Sequence, residues 1–155
     1  MSDIVIRFAE EDDLDSIVGL LGEIDHFYGD EMVESTHVRT AQTKAIVANR
    51  TTGAPRIIIA MDSAGDTLGF ASFSILWPAA GSSTSLYLKE LFVQSKKRAS
   101  GVGRMLVQEL FNIAKQQGCT RVEWTTDVAN SDAQQFYQAV GFAPSSGKLF
   151  YRAEI

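Results

Sequence analysis

The chain has 155 residues, 45% apolar and 21% charged, with a formal net charge of -5. That composition excludes a disordered chain and suits one domain, 1–155, that hides roughly 68–70% of its extended surface, while the acidic balance excludes a nucleic-acid binder that tracks phosphates with a dense basic face. Apolar runs are no longer than a strand, which excludes a transmembrane helix, and the lone Cys119 with an unremarkable MSDIVIRF start leads us to expect a cytoplasmic protein without disulfides or metal.

The β-branched run Ile4–Phe8 predicts a first strand, closed by the acids that follow. Leu14, Ile17, Val18, Leu21 and Ile24 recur at helical spacing, with Asp12 or Asp13 as cap. A second helix is expected over Ser35–Asn49, with a narrow stripe of Val38, Ala41, Ala45 and Ala48. Arg56–Met61 and Thr67–Trp77 read as an antiparallel hairpin around the loop Asp62–Asp66. Another strand starts near Ser85 and runs to Val93. Its alternation fails at Lys89-Glu90, and two adjacent charges in an apolar strand point to an edge or a bulge.

After the loop Gln94–Ser100, the positions Val102, Met105, Leu106, Leu110, Ile113 and Ala114 define the clearest helix, stopped by Gly118. Arg121–Thr126 alternates as a strand, so strand, helix and strand form a crossover long enough for a parallel pair. The spacing Ser131-x-x-Gln134 matches a capping box and opens a short helix with Ala133, Phe136, Tyr137 and Val140 on one side, ended by Gly141. Leu149–Glu154 is expected to be a last strand. The order of elements predicts a mixed α/β (α+β) fold without repeats or linkers.

Charge is unevenly spread. From Phe8 to Val38 there is no Lys or Arg but ten of the 19 acids, whereas Lys89, Lys96, Lys97, Arg98 and Arg104 face the single acid Glu90 between residues 89 and 104. One pole suits a cation and the other phosphates; both also read as ordinary solvated faces.

The chemistry concentrates in Arg98-Ala99-Ser100-Gly101-Val102-Gly103, between a strand and a helix. There the first helical N–H groups lack intrahelical partners, glycines at 101 and 103 admit an oxygen-rich ligand, and Arg98 and the helix dipole favour an anion such as phosphate or pyrophosphate. The spacing is not G-x-x-x-x-G-K-[ST], and Leu106 stands where a dinucleotide loop needs its third glycine. What remains, R-x-x-G-x-G, also fits a plain glycine turn with basic flanks.

The stretch LKELFVQSKKRASGVGRMLVQELFNIAKQQG, followed by a strand and NSDAQQFYQAVGF, resembles the acyl-CoA core of the GNAT superfamily of N-acetyltransferases. The resemblance implies a GNAT-type single domain: a central, mostly antiparallel twisted sheet of six to seven strands, one parallel βαβ crossover, and helices on both faces. It implies acetyl-CoA as donor, a small-molecule amine as acceptor, and the homodimer common in that family. Leu91, Phe92 and Val93 would offer backbone groups to the pantetheine arm. Arg98, Ala99, Ser100, Gly101, Val102, Gly103 and Arg104 would cradle the pyrophosphate, and Asn130 and Phe136 would complete the coenzyme side. Tyr137 matches the family tyrosine that protonates the departing thiolate. Ala99 and Ser95 depart from the family's usual glycine and proline.

An alkylammonium must lose a proton before it attacks, at a cost of roughly 4–5 kcal/mol at neutral pH. Glu90, beside the expected bulge, is the leading base, relaying the proton through water, and an N–H of Val93 or Leu91 could polarise the thioester carbonyl. Asp25 and Glu31 are the other candidates for the base, and with His26, Tyr28 and Trp77 they are candidate acceptor contacts. The run Tyr87–Ser95 resembles the polyamine and diamine acetyltransferase branch most, although Lys89 stands where those enzymes tend to carry an acid. Amino acids, a protein lysine or a protein N-terminus are the other acceptors, and a non-catalytic acyl-CoA sensor is the competing class. From the residues alone Tyr137 is a helix-face aromatic, Cys119 a small hydrophobe, and His26 and His37 lack metal-ligand spacing.

Overall fold

The computed structural model describes residues 3–29, 34–49, 51 and 53–155. Two compact units form, Met1–Trp124 and Thr125–Ile155. The first holds one five-stranded sheet in chain order: β1 (Val5–Phe8), β2 (Arg56–Met61), β3 (Thr67–Leu76), β4 (Ser85–Val93) and β5 (Arg121–Glu123). The first four strands run antiparallel to their neighbours, and β4 and β5 are parallel.

Alternation along the strands splits the core into two layers. On one face Ile58, Ala71, Phe73, Leu86 and Leu88 meet the stripe Val102, Leu106, Leu110, Ile113 and Ala114 of α3 (Val102–Gln116). On the other, Ile59, Phe70 and Phe92 meet Ile17, Leu20 and Ile24 of α1 (Leu14–Tyr28). The expected mixed α/β architecture with helices on both faces is thus present. Val107 joins the buried side of α3, whereas Met105, expected there, is 37% exposed.

Local signals explain the joints. In the β2–β3 loop, Asp62 Oδ1 accepts from the N–H groups of Ala64 and Asp66, 3.0 and 2.9 Å away. Gly118, at φ 72, ends α3 as expected, with Cys119 N–H returning to the Ala114 carbonyl at 2.9 Å. Before α1, Asp13 does not cap with its side chain. It accepts from Glu10 N–H at 2.7 Å and from both Nη atoms of Arg7, tying β1 to the helix. Burial alone would raise the Asp13 pKa; the Arg7 and Glu10 hydrogen bonds outweigh it and hold the carboxyl below its ordinary value.

Helix α2 (Thr36–Ala48) occupies the expected span, with Ser35 Oγ capping Val38 N–H at 3.3 Å. Its inward face is not the predicted stripe. Val38, Ala41, Ala45 and Ala48 are exposed, and Thr43 is buried with Arg39, Ile46 and Val47 half-buried. Polar residues turn inward because each has a partner: Arg39 pairs with Asp25 and Glu34, and Thr43 Oγ1 donates to the Arg39 carbonyl at 2.8 Å.

Three further expectations need correction. The sheet has five described strands rather than six or seven, and β5 stops at Glu123 instead of Thr126. Residues 149–154 form no strand: Leu149, Phe150 and Tyr151 are 80, 63 and 83% exposed, so no face of the segment is buried and nothing favours a ladder. In the second unit, α4 (Ser131–Ala139) is capped by Asn130, not by a Ser131–Gln134 box. Asn130 Oδ1 accepts from Ala133 N–H at 3.1 Å, while the Gln134 amide donates to the carbonyls of Asp127 and Val128.

Candidate functional site

Strand β4 changes character halfway. Ser85, Leu86 and Tyr87 pair with β3 on one side and with Arg121, Val122 and Glu123 of β5 on the other; beyond Tyr87 the β5 ladder stops. The predicted bulge lies just past this point. Leu88 pairs with Phe73 and Glu90 with Ser72, so Lys89 is an extra residue. From Leu88 to Val93 the strand is held by β3 while its other edge has no strand partner among the described residues. That edge contains Leu91, Phe92 and Val93, the backbone segment expected to meet the pantetheine arm.

The loop that follows leads into α3. Arg98, Ala99, Ser100 and Gly101 are exposed, Gly103 is half-buried and Arg104 exposed, whereas the Val102 side chain sinks into the core and fixes the helix start. Gly101 is the residue before the helix, at φ 88, and as the cap residue it makes no side-chain cap hydrogen bond. A Cβ at position 101 would meet nothing within 4 Å. The requirement there is backbone handedness and open space, which is the form of an anion cradle. Ala99 is also left-handed, at φ 60, so the residue standing where the resembled family prefers glycine carries strain of about 1 kcal/mol.

Arg98 is braced on two elements. Its Nε donates to the Val93 carbonyl at 3.2 Å, and its guanidinium carbon lies 5.0 Å from the ring centre of Phe27 and 5.3 Å from that of Phe92. Ser95 Oγ adds a 3.4 Å contact to Glu23. The loop is therefore linked to the end of α1, a connection that no local sequence signal announces for Phe27. Gly69 is a second residue on which this region depends. Its missing Cβ would lie 2.5 Å from the Phe92 carbonyl and 3.1 Å from the Val93 Cα, so β4's open half depends on a bare backbone at that place in β3. A glycine inside an apolar strand is the signal that could have found it.

The expected acceptor contacts do not all gather. Asp25 is engaged by Arg39, whose pKa is raised first by the Glu34 hydrogen bond, against burial, and then by Asp25. Asp25 thus braces α1 against α2. His26 is exposed, and Tyr28 is 48% exposed with its ring edge-on to Phe27 at 5.1 Å. Trp77 is 70% exposed, its indole N–H donating to the Ser82 carbonyl at 3.0 Å. Glu31 lies outside the described residues. Glu90 is half-buried on β4.

In the second unit Tyr137 and Phe136 share the half-buried stripe of α4 with Ala133 and Val140, as expected, their rings 5.1 Å apart. Asn130 Oδ1 is occupied as the helix cap, which leaves its amide nitrogen for a ligand. Among the described residues no group of three His, Cys, Asp or Glu side chains could hold a metal ion, and no helix is long and apolar enough to cross a membrane.

Comparison with known proteins adds to this geometry. The model for the acetyltransferase (GNAT) family matches residues 21–142. An aminoglycoside N(6')-acetyltransferase type 1 of Serratia marcescens is 35% identical over 71 residues, 46% of this chain and 49% of that protein. The D-amino-acid N-acetyltransferase HPA3 of Saccharomyces cerevisiae is 31% identical over 88 residues, 57% of this chain and 53% of that protein. The chain thus spans about half the length of these curated relatives. Among solved structures, an integron cassette protein from the mobile metagenome of V. cholerae superposes with a TM-score of 0.85 at 30% identity, covering 99% of this chain and 93% of that one. An aminoglycoside N-acetyltransferase, AAC(6')-Iy, in complex with CoA gives 0.79 at 24% identity, over 100% and 97%, which is a likeness of fold.

Proposed function

The chain belongs to the acetyltransferase (GNAT) family, and on that premise we propose that it is an N-acetyltransferase that carries an acetyl group from acetyl-CoA to a primary amine of a small molecule. The observation that carries the reading is the sequence of a bulged strand with one open edge, an exposed loop, and a helix that starts at a left-handed glycine. Relatives named for aminoglycosides and for D-amino acids support a small amine. Polyamines, diamines and amino acids all fall in this class.

The Gly101–Arg104 backbone and Arg98 hold the diphosphate by dipole and charge. The open edge at Leu91–Val93 aligns the pantetheine amides as an added strand would align, and an N–H of Leu91 or Val93 polarises the carbonyl. Acetyl-CoA supplies the acyl group as a thioester: the amine nitrogen bonds to its carbonyl carbon and the C–S bond breaks. Glu90 takes two protons from the nitrogen through water, one from the ammonium before attack and one from the attached nitrogen after it, and passes both to solvent, of which one is a net release. Tyr137 gives a proton to the thiolate and regains one from solvent, so charge and protons balance.

The test is release of free coenzyme A thiol from acetyl-CoA across polyamines, aminoglycosides, amino acids and lysine peptides. Wild type should turn over at least one small amine. Tyr137→Phe should lower kcat by about a hundredfold with coenzyme affinity retained. Gly101→Glu should abolish coenzyme binding by filling and charging the cradle. Tight coenzyme binding with no release on any amine would instead mark a sensor module, and turnover of peptides alone a protein acetyltransferase.

A further inference from the structure

We propose that the β4 bulge makes the acceptor site selective for amines that carry a carboxylate a few bonds from the reacting nitrogen, with Lys89 recognising that carboxylate; this rests on the transferase reading above. Across β3 and β4 the charged side chains are Lys89 and Glu90. In a regular strand, neighbours point to opposite faces. Here Leu86 and Leu88 pack into the α3-side core before the bulge, and Leu91 and Val93 pack against the same core after it. The two residues between them, Lys89 and Glu90, therefore share the opposite face, where Phe92 meets α1.

That face changes along its length. Phe70 and Phe92 are buried beneath α1, while Ser72, paired with Glu90, and Ser74, paired with Tyr87, are half-buried together with Glu90 and Tyr87. Lys89 is exposed at the edge of this polar floor. Among the described residues it makes no ion pair, whereas Arg7, Arg39, Lys44 and Arg121 all do. A fixed cation next to a carboxylate is a poor host for a second ammonium. It matches a ligand with one ammonium and one carboxylate, the first toward Glu90 and the second toward Lys89.

Paired substrates differing by one carboxylate provide the test: lysine against 1,5-diaminopentane, ornithine against 1,4-diaminobutane, and phenylalanine in both chiral forms against phenethylamine. Wild type should favour the carboxylated member about fivefold in kcat/KM, mostly through KM, the range of an exposed ion pair. Lys89→Arg should keep the preference. Lys89→Glu should reverse it toward the diamines, a swing of more than about tenfold, with melting temperature and acetyl-CoA affinity unchanged. Equal use of both members, or a ratio unmoved by Lys89→Glu, would overturn the proposal while leaving the transferase reading intact. No turnover of any member would overturn this proposal, and the transferase reading falls with it only if aminoglycosides and polyamines are left unacetylated as well.

Discussion

The two halves of β4 carry out different work with the same backbone. The first half, Ser85–Leu88, starts between two strands, buries Ser85, Leu86 and Leu88, and satisfies even its buried hydroxyl, Ser85 Oγ donating to Glu123 at 2.9 Å. The second half pairs with β3 alone among the described strands and carries the bulge. Pairing on both sides yields stability, and withholding one strand partner leaves backbone groups for the site proposed above.

The largest effect should come from breaking the first half. Leu86 has no exposed surface and belongs to the core cluster that β4 shares with the α3 stripe. Leu86→Ala should cost about 2–5 kcal/mol, read as a lowered denaturation midpoint, with kcat/KM per folded molecule preserved. Next comes Gly69→Ala, where a methyl would sit 2.5 Å from the Phe92 carbonyl and force β4's open half away. A loss of about 1–3 kcal/mol in stability is expected, with a rise in KM for acetyl-CoA larger than Leu86→Ala produces. If both substitutions changed stability and KM in the same proportion, the division of β4 into a scaffold half and a working half would be wrong.

The division was partly legible in the chain. Lys89-Glu90 inside an apolar strand announced the bulge, because two charges cannot both alternate into a core. Gly101 and Gly103 after a strand announced the exposed turn into α3, and the α3 stripe announced its buried face. Other features depend on partners distant in sequence. Arg39 faces inward because Asp25, 14 residues earlier, and Glu34 receive it, so a hydrophobic pattern picks the wrong side of α2. Asn130 outcompetes Ser131 as cap through backbone geometry that a spacing rule does not contain. Leu149–Glu154 has the residues of a strand, but strand propensity counts only where a neighbour supplies a ladder and a face to bury.

The smallest effect concerns how the open half reaches α1. Arg98 stands on Phe92 from β4 and on Phe27 from α1, and its Nε bond to the Val93 carbonyl fixes it at the strand's end. Phe27 is 46% exposed, so Phe27→Leu removes little burial and should leave stability within about 0.5 kcal/mol. Losing a partly exposed cation–π contact is worth about 0.5–1 kcal/mol, which corresponds to roughly two- to fivefold weaker coenzyme A binding by titration calorimetry. Arg98→Ala should lose more, because charge and brace go together. In the Arg98→Ala background, Phe27→Leu should then have no further effect, since it acts by aiming a guanidinium that is no longer there. Additive losses would mean that Phe27 acts independently of Arg98, and the working half of β4 would have no coupling to α1 through this residue.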